Sequence, residues 1–397
     1  MNELPWGNDA ELNDNQFYNR TEEISLLKRL LETTGEHTSP AMLISGIRGV
    51  GKTVLLKKIK KELDKDYLVS YVDLTQVYSY QIGKLDENGI MEHFFNSWMS
   101  ALQRKNLHSF REKIKKILKT KKIKIGEIVD ISGYPIPILE SENNPKELLD
   151  FVINLPQKIY ENNSNKIKGV IFIIDEFQAL NDLGNNLKGF LWFFRSYIQK
   201  QKNVAYVFSG SINSNNKIIE KIAGNNGAFG GRILSVQVDP FTKSTVKSYL
   251  DEKVPELKLT ENGFERFYKC TKGIPHYVNT FGRILEKDEV LDEEKIKEEF
   301  IKVLPLLADH LKQQWGRLTL REQRIIISLI EKPLKRSEIG EKINQKPSSI
   351  SLPLNNLQNE GFIEINQDNK YEIIEYILKE WLKQEYKSKR VFPHRSS

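Results

Sequence analysis

Cysteine is almost absent from this chain: of 397 residues, only Cys270 carries a thiol. A single cysteine excludes an intramolecular disulfide and fits a reducing cytoplasmic setting; Cys270 itself reads as a small buried apolar residue of a helix. Long apolar runs are missing too. None approaches the roughly 18–20 residues of a spanning helix, so we expect no membrane association. The start, Met1-Asn2-Glu3-Leu4-Pro5-Trp6, lacks the basic and apolar regions of an export leader, and none is expected. Nor is positive charge general. Ten Lys/Arg and one acid fall between Arg104 and Lys124, so that segment carries +9 against a net charge of +7, and the rest of the chain is −2. This is a near-neutral protein with one basic projection, not a uniformly basic nucleic-acid coat.

What is present starts with Gly46-Ile47-Arg48-Gly49-Val50-Gly51-Lys52-Thr53. It fits the phosphate-loop pattern G-x-x-x-x-G-K-[ST], and it follows an apolar run (41–44) and precedes a helical stretch (54–59). Glycines let consecutive N–H groups curl around an anion, helped by the positive end of the next helix. Lys52 supplies charge for the outer phosphates, and the Thr53 hydroxyl can ligate Mg²⁺. The octapeptide therefore predicts nucleoside triphosphate binding.

A phosphate loop alone binds; hydrolysis needs a metal anchor and a group to activate water. Asp175 and Glu176 follow the continuous apolar run 169–174, at the carboxyl end of an expected parallel strand, where ligands of open α/β sheets bind. Asp175 would hold the Mg²⁺ shell and Glu176 would polarise the lytic water. Gln178 reads equally as a solvated helix residue or a site residue. Ser209, ending the run 204–208, reads as a contact to the γ-phosphate or the water, or as part of a simple turn. Arg232, after Gly230-Gly231, reads as an arginine finger in its own or a neighbouring subunit, or as a structural ion pair.

At this length two or three domains are expected. Residues 1–16 read as a flexible arm. Strands alternating with helices over 17–241 indicate a parallel α/β core, with an insertion at about 75–168. Residues 242–312 read as helices broken at Gly273-Ile274-Pro275, where Pro275 can open a new helix. Over 313–378, three short helices (319–331, 337–343, 347–360) followed by two strands around the turn 366–369 predict a winged helix-turn-helix. Residues 379–397 read as a basic C-terminal tail.

In order, the segments Phe17–Glu23, Gly46–Thr53, Ile173–Gln178, Phe208–Ser211, Gly230–Arg232 with Pro240-Phe241, and Gly273–Pro275 resemble the prokaryotic AAA+/STAND-like ATPases often called the archaeal ATPase family. These are also similar to the origin-recognition ATPases. The resemblance spans about 17–285. It implies an ATP-binding α/β P-loop fold, a helical lid at 242–312 and a C-terminal winged helix whose packing follows the nucleotide. It further implies that Tyr18, Asn19 and Arg20 border the adenine, and that Gly273-Ile274-Pro275-His276 occupies a lid position where many AAA+ members carry arginine.

The output is less determined. The expected recognition helix carries no Lys or Arg, and none occurs from Pro347 to Asn369. Phosphate contacts supply most non-specific DNA affinity, so this helix would borrow its electrostatics from Lys332, Lys335, Arg336, Lys342, Lys346 or the tail, or serve as a protein-docking element. The segment 104–124 reads as a solvated face, or as a surface for nucleic acid or an acidic partner. Two functions follow: an ATP-driven switch acting on DNA or a partner protein, and an ATP-gated signalling or defence scaffold that assembles into a homo-oligomer without DNA.

Overall fold

The computed structural model describes residues 12, 16–107, 113–114, 124–131, 134–140, 145–211 and 233–393. Most of the basic segment 104–124, and Gly230–Arg232 with the arginine-finger candidate, lie outside the described residues.

Five short apolar runs become one parallel sheet: β1 (Ala41–Gly46), β2 (Leu68–Asp73), β5 (Val170–Asp175), β6 (Val204–Ser211) and β7 (Leu234–Gln237), in spatial order β2-β5-β6-β1-β7. Continuous apolar sequence is needed because both faces are covered, and alternate side chains enter different cores. Phe172 and Ile174 of β5, with Tyr206 and Phe208 of β6, face one core. Ile171 and Ile173, with Ala205 and Val207, face the other. The first core is completed by α4 (Glu87–Arg104), α5 (Pro145–Asn163) and α6 (Leu187–Ile198); the second by α1 (Thr21–Glu32) and α2 (Lys52–Leu63). Between β2 and α4 lies the short helix α3 (Tyr78–Gln81). The antiparallel pair β3 (Lys124–Ile131) and β4 (Tyr134–Glu140) belongs to the long interval between β2 and β5.

A third core gathers everything after Phe241. It contains α7 (Lys243–Lys253), α8 (Glu261–Thr271), α9 (Pro275–Ile284) and α10 (Glu293–Leu307), with two-residue strands β8 (Lys258–Leu259) and β9 (Val290–Leu291) pairing in parallel. The chain continues through α11 (Asp309–Arg317), α12 (Leu320–Ser328), α13 (Arg336–Lys342) and α14 (Ser351–Glu360) to the antiparallel ribbon β10 (Ile363–Ile365) and β11 (Tyr371–Ile373). Thr319 opens α12 with a reciprocal capping box to Glu322. The final helix α15 (Tyr376–Lys389) corrects the reading of 379–397 as a basic tail. Its Ile377, Leu378, Trp381 and Leu382 are buried, and Trp381 meets Trp315 edge-on with centroids 6.3 Å apart. Burial of that apolar face outweighs the lysines, which ride on the solvent side. No described helix is long and apolar enough to cross a membrane.

Candidate nucleotide-binding site

The loop between β1 and α2 is held open by backbone that only some residues adopt. Gly49 has φ +82, and a Cβ there would come within 3.0 Å of both Ile274 and His276, so glycine is required for shape and for room. Gly51, at φ +95, is the residue before α2. Lys52 opens α2 and is 6% exposed; its ammonium donates to the Gly46 carbonyl at 2.8 Å and to that of Ile47 at 3.1 Å. Burial pushes the Lys52 pKa down, while the charges of Glu176 and Asp175 pull it back up. The amine thus faces both acids from across the loop.

Because β6 lies between β1 and β5, the acid-bearing strand stands one place removed from the loop strand. Asp175 is fully buried at the end of β5. Its Oδ2 accepts from the Thr53 hydroxyl at 2.7 Å and the Tyr71 hydroxyl at 2.9 Å, and its Oδ1 accepts from the Glu176 N–H at 2.9 Å. Lys52, Thr53, Asp175 and Glu176 therefore lie together at this end of the sheet. Ser209 of β6 is fully buried, and its hydroxyl has no hydrogen-bond partner. Burial, then the Asp175 charge, raises the Glu176 pKa from its ordinary value; Lys52 and a hydrogen bond from Gln178 work against that rise. A carboxylate so placed holds a proton more readily than a free one.

Tyr18, Asn19 and Arg20 divide. Tyr18 and Asn19 join Ser244, Thr245 and Ser248 of α7 around a cleft of about 300 Å³. Tyr18 packs on Tyr249 with centroids 4.8 Å apart. Arg20 instead donates to the carbonyls of Val50 and Asp239, pairs with Glu23 at 2.9 Å, and lies 4.8 Å from the centre of the Phe241 ring. Its guanidinium is a clamp between the loop and the start of the helical unit, which differs from the expectation that it borders a base.

The turn Gly273-Ile274-Pro275 is fastened from both sides. Phe241 N–H donates to the Gly273 carbonyl at 2.8 Å, and a Cβ at Gly273 (φ +69) would lie 2.0 Å from the Phe241 carbonyl oxygen. Pro275 is the first residue of α9, and the next N–H, of His276, donates to the Gly49 carbonyl at 3.2 Å. Burial and the nearby Arg48 charge push the His276 pKa below its ordinary value. The neutral imidazole is thus the favoured form beside the Arg48 charge.

Sequence reasoning missed three groups. Tyr71 reaches Asp175 because β2 pairs with β5 in register, Tyr71 opposite Ile173 and Asp73 opposite Asp175. Tyr277, next after His276, donates from its hydroxyl to Glu375 Oε2 at 2.6 Å. Glu375 directly precedes α15, and Arg48 of the loop acts electrostatically on both partners. Strand order would have exposed the first; nothing in the linear sequence signals the other two.

A glycine-rich loop between a parallel strand and a helix, its lysine facing acids at the end of a strand two places over, defines a P-loop nucleoside triphosphatase fold. The chain belongs to the family of ATPase domains found predominantly in Archaea, which it matches over residues 17–281. It is 29% identical to an ATP-binding protein of Methanocaldococcus jannaschii over 251 residues, 59% of this chain, and spans 63% of that curated relative's length. A Walker-type ATPase of Pyrococcus abyssi shares the fold, with 20% identity, a TM-score of 0.62, and 93% of this chain and 97% of that one covered. The Aeropyrum pernix ORC2 protein aligns over 96% of this chain and 94% of its own at 14% identity and a TM-score of 0.40.

Proposed function

We propose that this protein is an ATP-driven switch: Mg·ATP binds between the α/β core and the helical lid (242–312), is hydrolysed slowly, and its state is passed to a winged helix-turn-helix (313–378) acting on DNA or a partner protein. The observation that carries the switch is the Tyr277–Glu375 hydrogen bond beside Arg48. One residue of the phosphate loop, one of the lid and one at the start of the last helix form a single charged cluster. A phosphate placed on the loop alters the field at Glu375 without any intermediate element.

Within the site, Lys52 exchanges its loop carbonyls for phosphate oxygens. Thr53 and Asp175 fit a cation ligated mainly by phosphate and water: among the described residues no group of three or more His, Cys, Asp or Glu could cage a metal. When bound, the metal neutralises charge developing on the transferred phosphoryl group. Glu176 accepts the proton of the attacking water. Tyr18 and Asn19, with the α7 hydroxyls, offer the base a polar cleft. The loop peptides of Gly46–Thr53, together with Ser209 and Pro275, line the remaining contacts.

Lys52→Ala should abolish binding of a fluorescent ATP analogue, and Glu176→Gln should bind it unchanged while turnover falls by about 10²–10⁴. Undiminished hydrolysis by Glu176→Gln removes it from the role. A second reading, an ATP-gated scaffold that forms homo-oligomers and docks protein, draws support from the output end. Helix α14 carries no cation, Leu352 on it is 69% exposed, and Glu360 at its end sits in the field of Glu322 and Asp182. Duplex binding across a salt series, with and without ATP, separates the two: salt-insensitive absence of binding with ATP-dependent assembly selects the scaffold.

A further inference from the structure

Glu176 is held by its neighbour two residues on. The Gln178 Nε2 donates to Glu176 Oε2, while the other end of the same amide, Oε1, is buried without a hydrogen-bond partner. That oxygen lies against Gly210 of β6, where an added Cβ would stand 2.5 Å away from it. Gly210 follows Ser209, whose buried hydroxyl is also unpartnered. The contact is reinforced one residue away, where Phe177 meets Phe208 edge-on with centroids 4.7 Å apart. Glu176 itself is in the left-handed region (φ 52, ψ 40), which is strained for a non-glycine residue. A strained acid, an orphaned carbonyl oxygen and a strand glycine that makes room for the amide form one arrangement. An unmade hydrogen bond there is destabilising, and filling the position with an apolar side chain would avoid it.

We infer that Gln178 is a positioning residue for ATP hydrolysis: its amide fixes the direction of the Glu176 carboxylate, and its own place is set by the missing side chain of Gly210 on β6. The inference rests on Glu176 being the water-activating group. Without Gln178 the carboxylate swings freely about its side-chain torsions, and a misplacement of about 1 Å in a reacting group can cost 10²-fold in rate. Nucleotide affinity is untouched, because neither Gln178 nor Gly210 belongs to the phosphate loop.

The full chain is tested with Gln178→Met, which keeps length and bulk but removes the donor, Gln178→Ala, and Gly210→Ala, whose methyl displaces the amide. Each should lower kcat about 10- to 100-fold with KM within twofold. The non-hydrolysable probe AMP-PNP should bind each with wild-type Kd, which also establishes that the site is folded. The double variant Gln178→Met/Gly210→Ala should lose no more than either single, since both remove the same hydrogen bond. Full turnover by Gln178→Met would show that the side chain only fills space and would overturn the inference. So would raised turnover in any variant, additive losses, or a fall explained by weaker AMP-PNP binding. If Glu176→Gln hydrolyses normally, the failure lies with the role of Glu176; if Glu176→Gln is inactive and Gln178→Met is not, it lies with Gln178 alone.

Discussion

Arg20 illustrates how one side chain joins three parts of the molecule. It is 8% exposed, in the left-handed region at φ 67, and its guanidinium reaches carbonyls of the phosphate loop and of Asp239 while covering Phe241. Arg20→Ala should cost about 2–3 kcal/mol, because two acceptors lose a charged donor, and the denaturation midpoint reads this directly. Arg20→Lys should not restore it: one ammonium replaces a planar fork whose first nitrogen pairs with Glu23 while the second serves the two carbonyls, and it does not stack on a ring in the same way. Little of this was legible. The segment Phe17–Glu23 stands out in the sequence, but the Asp239 carbonyl and the Phe241 ring that Arg20 reaches lie about 220 residues away, and no periodicity encodes that. Cys270 was easier: 4% exposed in α8, its thiol is pushed up to about 12 by burial, so it stays protonated and inert at neutral pH. Lys52, Thr53, Asp175 and Glu176 were legible because their chemistry fixes both residue type and spacing.

At the scale of elements, strands β5 and β6 were readable from apolar continuity, but their order was not. A run buried on both faces has the same pattern whichever strands flank it, so Tyr71 stayed invisible until β2 was seen beside β5. Helix α15 shows the opposite failure. Lysine density suggested a tail, while the signal lay in apolar residues at 377, 378, 381 and 382, one helical stripe. Lys387 and Lys389 sit in its last turn, where cations favour the helix dipole. Gln384 adds a hydrogen bond to the Ile301 carbonyl at 2.9 Å. Leu382→Ala should therefore destabilise the C-terminal unit by about 2–4 kcal/mol, whereas Lys387→Ala should change it by less than about 0.5 kcal/mol. Chemical denaturation followed by the Trp315 and Trp381 fluorescence distinguishes them; equal small effects would mean that α15 is not part of the core.

At the scale of the whole molecule, the nucleotide loop and the last helix meet through Tyr277 and Glu375, and the charge balance there has a defined pH dependence. Burial raises the Glu375 pKa, and the Tyr277 hydrogen bond and the Arg48 charge only partly offset it. A carboxyl whose docked pKa lies above its free value near 4.5 favours docking fully below that value and loses this contribution as pH rises through the docked pKa. The C-terminal module should consequently be tightest below the free value and loosen as pH rises through the docked one, seen as faster limited proteolysis between 307 and 376. ATP should act in the same direction, because phosphates on the loop draw on the positive charge of Arg48 that otherwise faces Glu375. Glu375→Gln, uncharged at every pH, should abolish both dependences, while Tyr277→Phe should weaken docking by about 1–3 kcal/mol by leaving the carboxylate oxygen unpaired. The measurement is cleavage rate against pH in a Glu176→Gln background, with and without ATP. If ATP alters proteolysis equally in the Glu375→Gln chain, the message travels by another route; if the response vanishes with that one oxygen-for-amide exchange, the cluster of Arg48, Tyr277 and Glu375 is the coupling between nucleotide and output.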